Sequence, residues 1–144
     1  MTLSLDPRVV ELLRKAGWTE GYDGLRDRKI QNESAFFPAA HTVLTNFGGL
    51  DVGYMGTGIE TGTSSIQFDL SFAFAPPEEI DPPHSRPIWP IGELDHGHAG
   101  LYIDDLGKVF MMTDSFELIA PSIELALYSL LLGIRLSPEE LAAG

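Results

Sequence analysis

The feature that most constrains the fold is a change of hydrophobic period along the chain. Apolar residues recur at helical spacing in the first 47 residues, and from Ile66 to Phe74 they alternate one by one with Gln, Asp, Ser and Ala. Helical spacing places one apolar stripe against a core, whereas strict alternation indicates a strand with one buried face. Helical spacing returns from Ile123 to Ile134. Because helices and strands are not interleaved, the order predicts an α+β fold in which helices cover one face of an antiparallel sheet.

End signals mark the helices. Asp6 followed by Pro7 is typical of an N-cap and a first helical residue, and Gly17 ends this helix. Pro38 begins the second helix, and Gly48-Gly49 supply the left-handed residue that ends it. The remaining helical predictions are a short helix around Tyr22 to Arg28, a C-terminal helix over Ile123 to Ile134 with Gly133 near its end, and a last turn with the capping box Ser137-Pro138-Glu139-Glu140.

Short apolar runs separated by turn residues predict the strands. An early strand over Asp51 to Gly56 is expected to pair with the alternating strand through the Gly- and Thr-rich turn Thr57 to Ser64. A second hairpin is predicted from Ala99 to Ile103 and Lys108 to Thr113, which flank the turn residues Asp104 to Gly107, and Phe116 to Ile119 adds a strand. The expected sheet has four to six strands, packed by N-terminal helices and a C-terminal helix in one domain spanning residues 1–144.

Prolines interrupt the centre of this pattern. Six of the ten prolines lie between Pro76 and Pro90. Proline lacks an amide donor and has a fixed φ, so this segment is predicted to be an extended loop and not a regular strand.

Charge is distributed unevenly. Six acids and six bases balance in residues 1–50, whereas residues 51–144 hold fifteen acids against Arg86, Lys108 and Arg135, which accounts for the net charge of −12. Such a chain is unsuited to nucleic acid or an anionic membrane surface. One interpretation of the acidic excess is solubility. The other is an acidic face that steers onto a basic partner protein.

Composition narrows the class of protein further. The chain contains no cysteine, so disulfides, thiolate nucleophiles and cysteine-bound zinc are excluded. No apolar stretch approaches the ~20 residues of a membrane span, and the N-terminus lacks the pattern of a signal peptide. These features predict a soluble, cytoplasmic protein.

Chemistry-bearing motifs are few. In His96-Gly97-His98 the two imidazoles would share a strand face and could hold a metal together with Asp95, Asp104 or Asp105. The preferred interpretation places His96 in a turn and His98 at the start of a strand. No G-x-S-x-G motif is present. We therefore predict no catalytic residue, no metal and no cofactor, with a small His-based metal enzyme as the less favoured alternative.

An ordered set of motifs resembles the third class of the SUKH superfamily. The set spans Ala16 to Gly133 and comprises Ala16-Gly17-Trp18, Phe37-Pro38-Ala39-Ala40, Phe47-Gly48-Gly49-Leu50, Trp89-Pro90-Ile91-Gly92-Glu93, Gly97 to Asp104, Gly107-Lys108-Val109-Phe110 and Ala126 to Gly133. The resemblance implies an α+β fold and a bacterial immunity protein, which binds and blocks a co-encoded toxin, often a nuclease. A SUKH-like docking or regulatory domain with another protein partner is the alternative.

The acidic segment suggests how a nuclease toxin could be blocked. Carboxylates placed across a basic substrate groove compete with phosphate and speed association. The candidate partner-binding residues are seven acids and two aromatic residues, namely Glu78, Glu79, Asp81, Glu93, Asp95, Asp104, Asp105, Trp89 and Tyr102.

Overall fold

A computed structural model describes residues 3–26, 37–68 and 83–142. In chain order these residues form helices α1 (Pro7–Lys15) and α2 (Pro38–Phe47), strands β1 (Asp51–Val52), β2 (Gly56–Thr57), β3 (Gly62–Thr63), β4 (Ile66–Gln67), β5 (Ile88–Leu94), β6 (Ala99–Asp104), β7 (Val109–Met112) and β8 (Phe116–Ala120), and helices α3 (Ile123–Leu132) and α4 (Pro138–Ala142). The fold is α+β, as the sequence predicts.

Six strands form one antiparallel sheet in the order β1-β4-β5-β6-β7-β8, and β2 and β3 pair separately as a small hairpin. The predicted pairing of the early strand with Ile66 and Gln67 is confirmed. So is the hairpin of β6 and β7, which continues into β8. The part of the alternating strand beyond Phe68 lies outside the described residues.

The main core lies between the sheet and three helices. Leu13 of α1, Phe47 of α2 and Leu127 of α3 are fully buried against inward-facing strand residues such as Leu101 and Ile103. Successive strand residues point to opposite faces, so Tyr102 between them lies on the other face. There it forms a second cluster with Phe110 and Met112, flanked by Ile88 and Phe116.

The helix ends follow the predicted signals. The Asp6 carboxylate accepts a hydrogen bond from the Arg8 amide at 2.8 Å, and Gly49, with φ of 86°, is the left-handed residue after α2. Ser122 caps α3, and Gly133 ends it in the left-handed conformation. At α4, Ser137 and Glu140 each accept a hydrogen bond from the other's amide, which confirms the capping box.

Three local predictions are wrong. Residues 20–26 form turns instead of the start of a helix, because they pack onto the end of α2: the Gly24 amide donates to the Thr45 carbonyl, and a Cβ on Gly24 would lie 2.2 Å from the Leu44 carbonyl oxygen. The rest of that predicted helix, from residue 27, lies outside the described residues. The early strand ends at Val52, because Gly53 turns the chain with φ of 80°. The predicted turn after it contains the β2–β3 hairpin.

The third correction concerns the proline-rich segment, whose last residues, 88–90, form the start of β5 and not a loop. Residues 76–82 of this segment lie outside the described residues. Pro90 lies inside β5, opposite Tyr102, and the register shifts between Pro90 and Gly92. A bulge accommodates the missing amide donor at this position.

Candidate functional site

The two turns that flank β6 lie at opposite ends of the sheet. Residues 95–98 join β5 to β6, and residues 105–108 join β6 to β7. A six-residue strand separates them by about 20 Å. We call these the β5–β6 end and the β6–β7 end.

The β5–β6 end is also where β1 stops and β4 begins. Val52 and Ile66 are Cα partners, and Ile66 in turn pairs with Leu94, the last residue of β5. The excursion of residues 53–65, which carries the β2–β3 hairpin, therefore leaves the sheet at the same end as the turn of residues 95–98.

A hydrogen-bond network fixes the acidic side chains at the β5–β6 end. The Gln67 amide nitrogen Nε2 donates to Asp51 Oδ1 at 2.9 Å and to Ser65 Oγ at 3.0 Å, and Gln67 Oε1 accepts from the His96 amide at 2.8 Å. Asp95 Oδ1 accepts from the Ser65 amide at 2.8 Å. Asp51 is exposed and Asp95 half-buried, so two carboxylates of this network face solvent in fixed positions.

Large apolar side chains are exposed beside these acids. Tyr54, Met55 and Ile59 are each 58–59% exposed, and all three belong to the excursion of residues 53–65. A cavity of about 380 Å³ lies between this excursion and α1, lined by Leu12, Tyr54 and Ile59 among others. Aromatic residues and methionine are enriched where proteins bind one another. Sequence reasoning missed these residues, because Tyr54 and Met55 fell in a predicted strand; the available signal was Ile59, a large apolar residue in the predicted turn of Thr57 to Ser64.

The β6–β7 end is held together by an internal carboxylate. Asp104 is fully buried, and its Oδ1 accepts from the amides of Leu106 and Lys108 at 2.9 and 2.8 Å. Its Oδ2 lies 2.8 Å from His84 Nε2. Asp104 therefore satisfies the donors of its own turn.

Asp105, the next residue, is paired with Arg86. Arg86 Nε and Nη2 donate to Asp105 Oδ1 and Oδ2 at 2.8 and 2.9 Å. These hydrogen bonds raise the pKa of the Arg86 guanidinium. The pair offsets the charge of this turn, so the β6–β7 end presents less negative charge than its sequence indicates.

The structure does not bring the predicted partner-binding residues together. Glu93 and Asp95 lie at the β5–β6 end, whereas Trp89, Asp104 and Asp105 lie toward the β6–β7 end. Glu78, Glu79 and Asp81 lie outside the described residues.

Three of the candidates are buried. Tyr102 and Asp104 have no exposed surface and Glu93 is 5% exposed, whereas Trp89, Asp95 and Asp105 are half-buried. Burial raises the pKa of the Tyr102 phenol well above its ordinary value, so this side chain stays neutral. Tyr102 and Asp104 stabilise the fold in this conformation and offer nothing to a partner. Their polar and aromatic character suggested exposure, but their strand positions face a packed cluster and a turn.

Both histidines of the His96-Gly97-His98 motif lie in the turn of residues 95–98, ahead of β6. The shared strand face that a metal pair needs is therefore not formed. Within residues 3–26, 37–68 and 83–142, no three His, Asp or Glu side chains are grouped so that they could hold a metal ion. No helix in this part of the chain is long and apolar enough to span a membrane.

The structure thus defines an α+β domain with a six-stranded antiparallel sheet, at one end of which fixed carboxylates and exposed apolar side chains lie side by side. The family model for the SUKH-3 immunity protein matches residues 5–133. The chain belongs to the SUKH-3 immunity protein family, and the resemblance read from its motifs is confirmed. Neither a curated protein nor a solved structure matches the chain.

Proposed function

We propose that this protein is a non-enzymatic, cytoplasmic immunity protein that binds and neutralises a cognate nuclease toxin through an acidic surface. Membership of the SUKH-3 immunity protein family supports the immunity role. The observation that supports this mechanism is the negative charge of residues 51–144, which contain fifteen acidic residues and three basic residues. A nuclease binds phosphates through basic residues, and a dense negative surface is complementary to such a groove.

The β5–β6 end is the part of this surface that the geometry favours. Asp51 and Asp95 are held by Gln67 and Ser65, so they lose little conformational entropy on binding. Tyr54 and Met55 supply apolar contact area beside them. Asp51 and Asp95, which we call the rim acids, should speed association with the toxin. Tyr54 and Met55, once covered by the toxin, should slow dissociation.

The remaining candidates stay within the proposal as secondary contacts. Trp89 and Asp105 keep part of their surface exposed, and Glu78, Glu79 and Asp81 add three charges to the same acidic segment. Of the four acids among these residues, Asp105 contributes least to an electrostatic contact, because Arg86 already offsets its charge.

Co-expression with the toxin domain encoded beside the gene tests the proposed function. We expect cells to survive, and a stoichiometric complex to persist through size exclusion at moderate salt. Association should slow as salt rises, and the double variant Asp51→Asn/Asp95→Asn should associate more slowly with little change in its dissociation rate. The control is Glu139→Gln, an exposed acid on α4.

Toxicity that is not relieved, together with no complex, would contradict the immunity role. It would favour a docking or regulatory domain with another partner. Retention of a stoichiometric metal, lost in His98→Ala, would instead favour the metal-enzyme alternative.

A further inference from the structure

We propose that the β5–β6 end carries a recessed anionic socket for one lysine or arginine side chain of the toxin, with the Glu93 carboxylate at its floor. The inference rests on the proposed function, because the toxin supplies the cation. The socket adds one specific, recessed contact to the acidic surface of the proposed function.

Glu93 stands in a row of side chains that crosses the outer face of the sheet. The register aligns Asp51, Gln67, Glu93, Gly100 and Met112 on neighbouring strands, so these residues share the face opposite the helices. Glu93 is only 5% exposed and Gln67 7%. The Glu93 side chain is therefore recessed in the surface of the sheet, on a strand near its centre.

This carboxylate has no counter-ion in the described part of the chain. None of the described residues donates a hydrogen bond to a Glu93 oxygen, and none of their Lys, Arg or His side chains forms an ion pair with it. Neighbouring Asp51 and Asp95 carry the same sign of charge. A recessed carboxylate with no cation among the described residues is unfavourable in the free protein, and a cation from a partner relieves that cost.

The turn above Glu93 is built to let a side chain approach. Glu93 Oε2 lies 3.7 Å from where a Cβ on Gly97 would be, so the carboxylate points at a turn residue that has no side chain and is itself exposed. Asp95 and His96 precede that glycine, both with positive φ, at 50° and 55°. Gln67 is held by three hydrogen bonds and forms a rigid wall.

The burial of Glu93 separates its expected effect from that of the rim acids. Neutralising an exposed rim charge mainly slows association, whereas removing one partner of a buried charge pair mainly speeds dissociation. In the free protein, removing the Glu93 charge should not reduce the stability of the fold. Removing an uncompensated buried charge leaves stability unchanged or raises it.

Glu93→Gln tests the socket, with Glu117→Gln as the matched control, because Glu117 is exposed and lies on the edge strand β8, three strands along the sheet from β5. The probe is the toxin domain encoded beside the gene. For Glu93→Gln we expect Kd to rise about 30-fold or more, mostly through the dissociation rate. The Tm of the free variant should stay level or rise by about 2–4 °C. For Glu117→Gln, Kd should change by less than about threefold.

The outcomes distinguish the socket from the proposed function. If wild type forms no complex, the immunity role is wrong and the socket falls with it. If wild type binds and Glu93→Gln binds equally tightly, only the socket is wrong. A free Glu93→Gln protein that unfolds at a lower temperature, or fails to fold, shows that Glu93 serves the fold, and the socket is again overturned.

Discussion

His84 donates a hydrogen bond from Nε2 to the fully buried carboxylate of Asp104 at 2.8 Å. The proton is on Nε2 because Nδ1 accepts from the Arg86 amide at 3.1 Å. This pair ties residues 83–87 to the β6–β7 turn, while Arg86 and Asp105 form a second link between the same two segments. Two of the acids that the sequence predicts to bind a partner, Asp104 and Asp105, therefore hold this end of the sheet together.

Replacing Asp104 with Ala should destabilise the protein strongly. The substitution leaves the Leu106 and Lys108 amides and the His84 ring without the buried carboxylate that accepts their hydrogen bonds. We expect a loss of about 3 kcal/mol in the free energy of unfolding, measured by urea denaturation. The exposed turn residue Asp114 provides the control, and Asp114→Ala should change stability by less than about 0.5 kcal/mol. A loss below about 1 kcal/mol for Asp104→Ala would mean that backbone hydrogen bonds alone hold the turn.

Gly133→Ala should lower the free energy of unfolding more than Gly107→Ala does. Both glycines have positive φ, at 66° and 89°. A Cβ on Gly133 would lie 2.3 Å from the Thr61 carbonyl oxygen, whereas a Cβ on Gly107 meets no atom within 4 Å. We expect a loss of about 3 kcal/mol or more at Gly133 and about 1 kcal/mol at Gly107, read from thermal or urea unfolding. Equal losses would show that backbone conformation, and not the contact with residues 58–61, sets the cost.

Tyr54→Ala/Met55→Ala should weaken toxin binding without weakening the fold. Both side chains are 59% exposed, so their removal leaves the core intact. We expect Kd to rise about tenfold or more, with Tm nearly unchanged. Leu106→Ala is the matched control, because Leu106 is 60% exposed at the β6–β7 end. A larger effect from Leu106 would move the interface to that end.

Acid should destabilise the N-terminal helix through Asp6. Hydrogen bonds from the Arg8 side chain and amide hold the pKa of the Asp6 carboxyl below its ordinary value. A depressed pKa in the folded state means that the unfolded state takes up the proton first, so stability is present above about pH 4 and is lost as pH falls further. Asp6→Asn should flatten this decline, measured by urea unfolding between pH 2 and pH 5. Glu20→Gln, an exposed control, should leave the slope unchanged.

Most secondary structure could be predicted because its signals are local. The Asp6-Pro7 cap, the Gly133 terminus and the β6–β7 turn depend on residues within a few positions of one another. Local rules were wrong where distant contacts decide the conformation. Pro90 lies in a strand because β6 supplies a partner, and residues 20–26 form turns because the end of α2 packs against Gly24.

The sequence by itself determined the α+β class, the family and the concentration of acid after residue 50, since each depends only on residue types and their order. Only the tertiary structure decided which acids can meet a partner. Burial and pairing depend on strand register and on residues far apart in the chain, as between Arg86 and Asp105 or Gln67 and Asp51. The same physical reason separates Asp104, enclosed by the donors of its turn, from Glu93, enclosed in the fold with no described counter-ion.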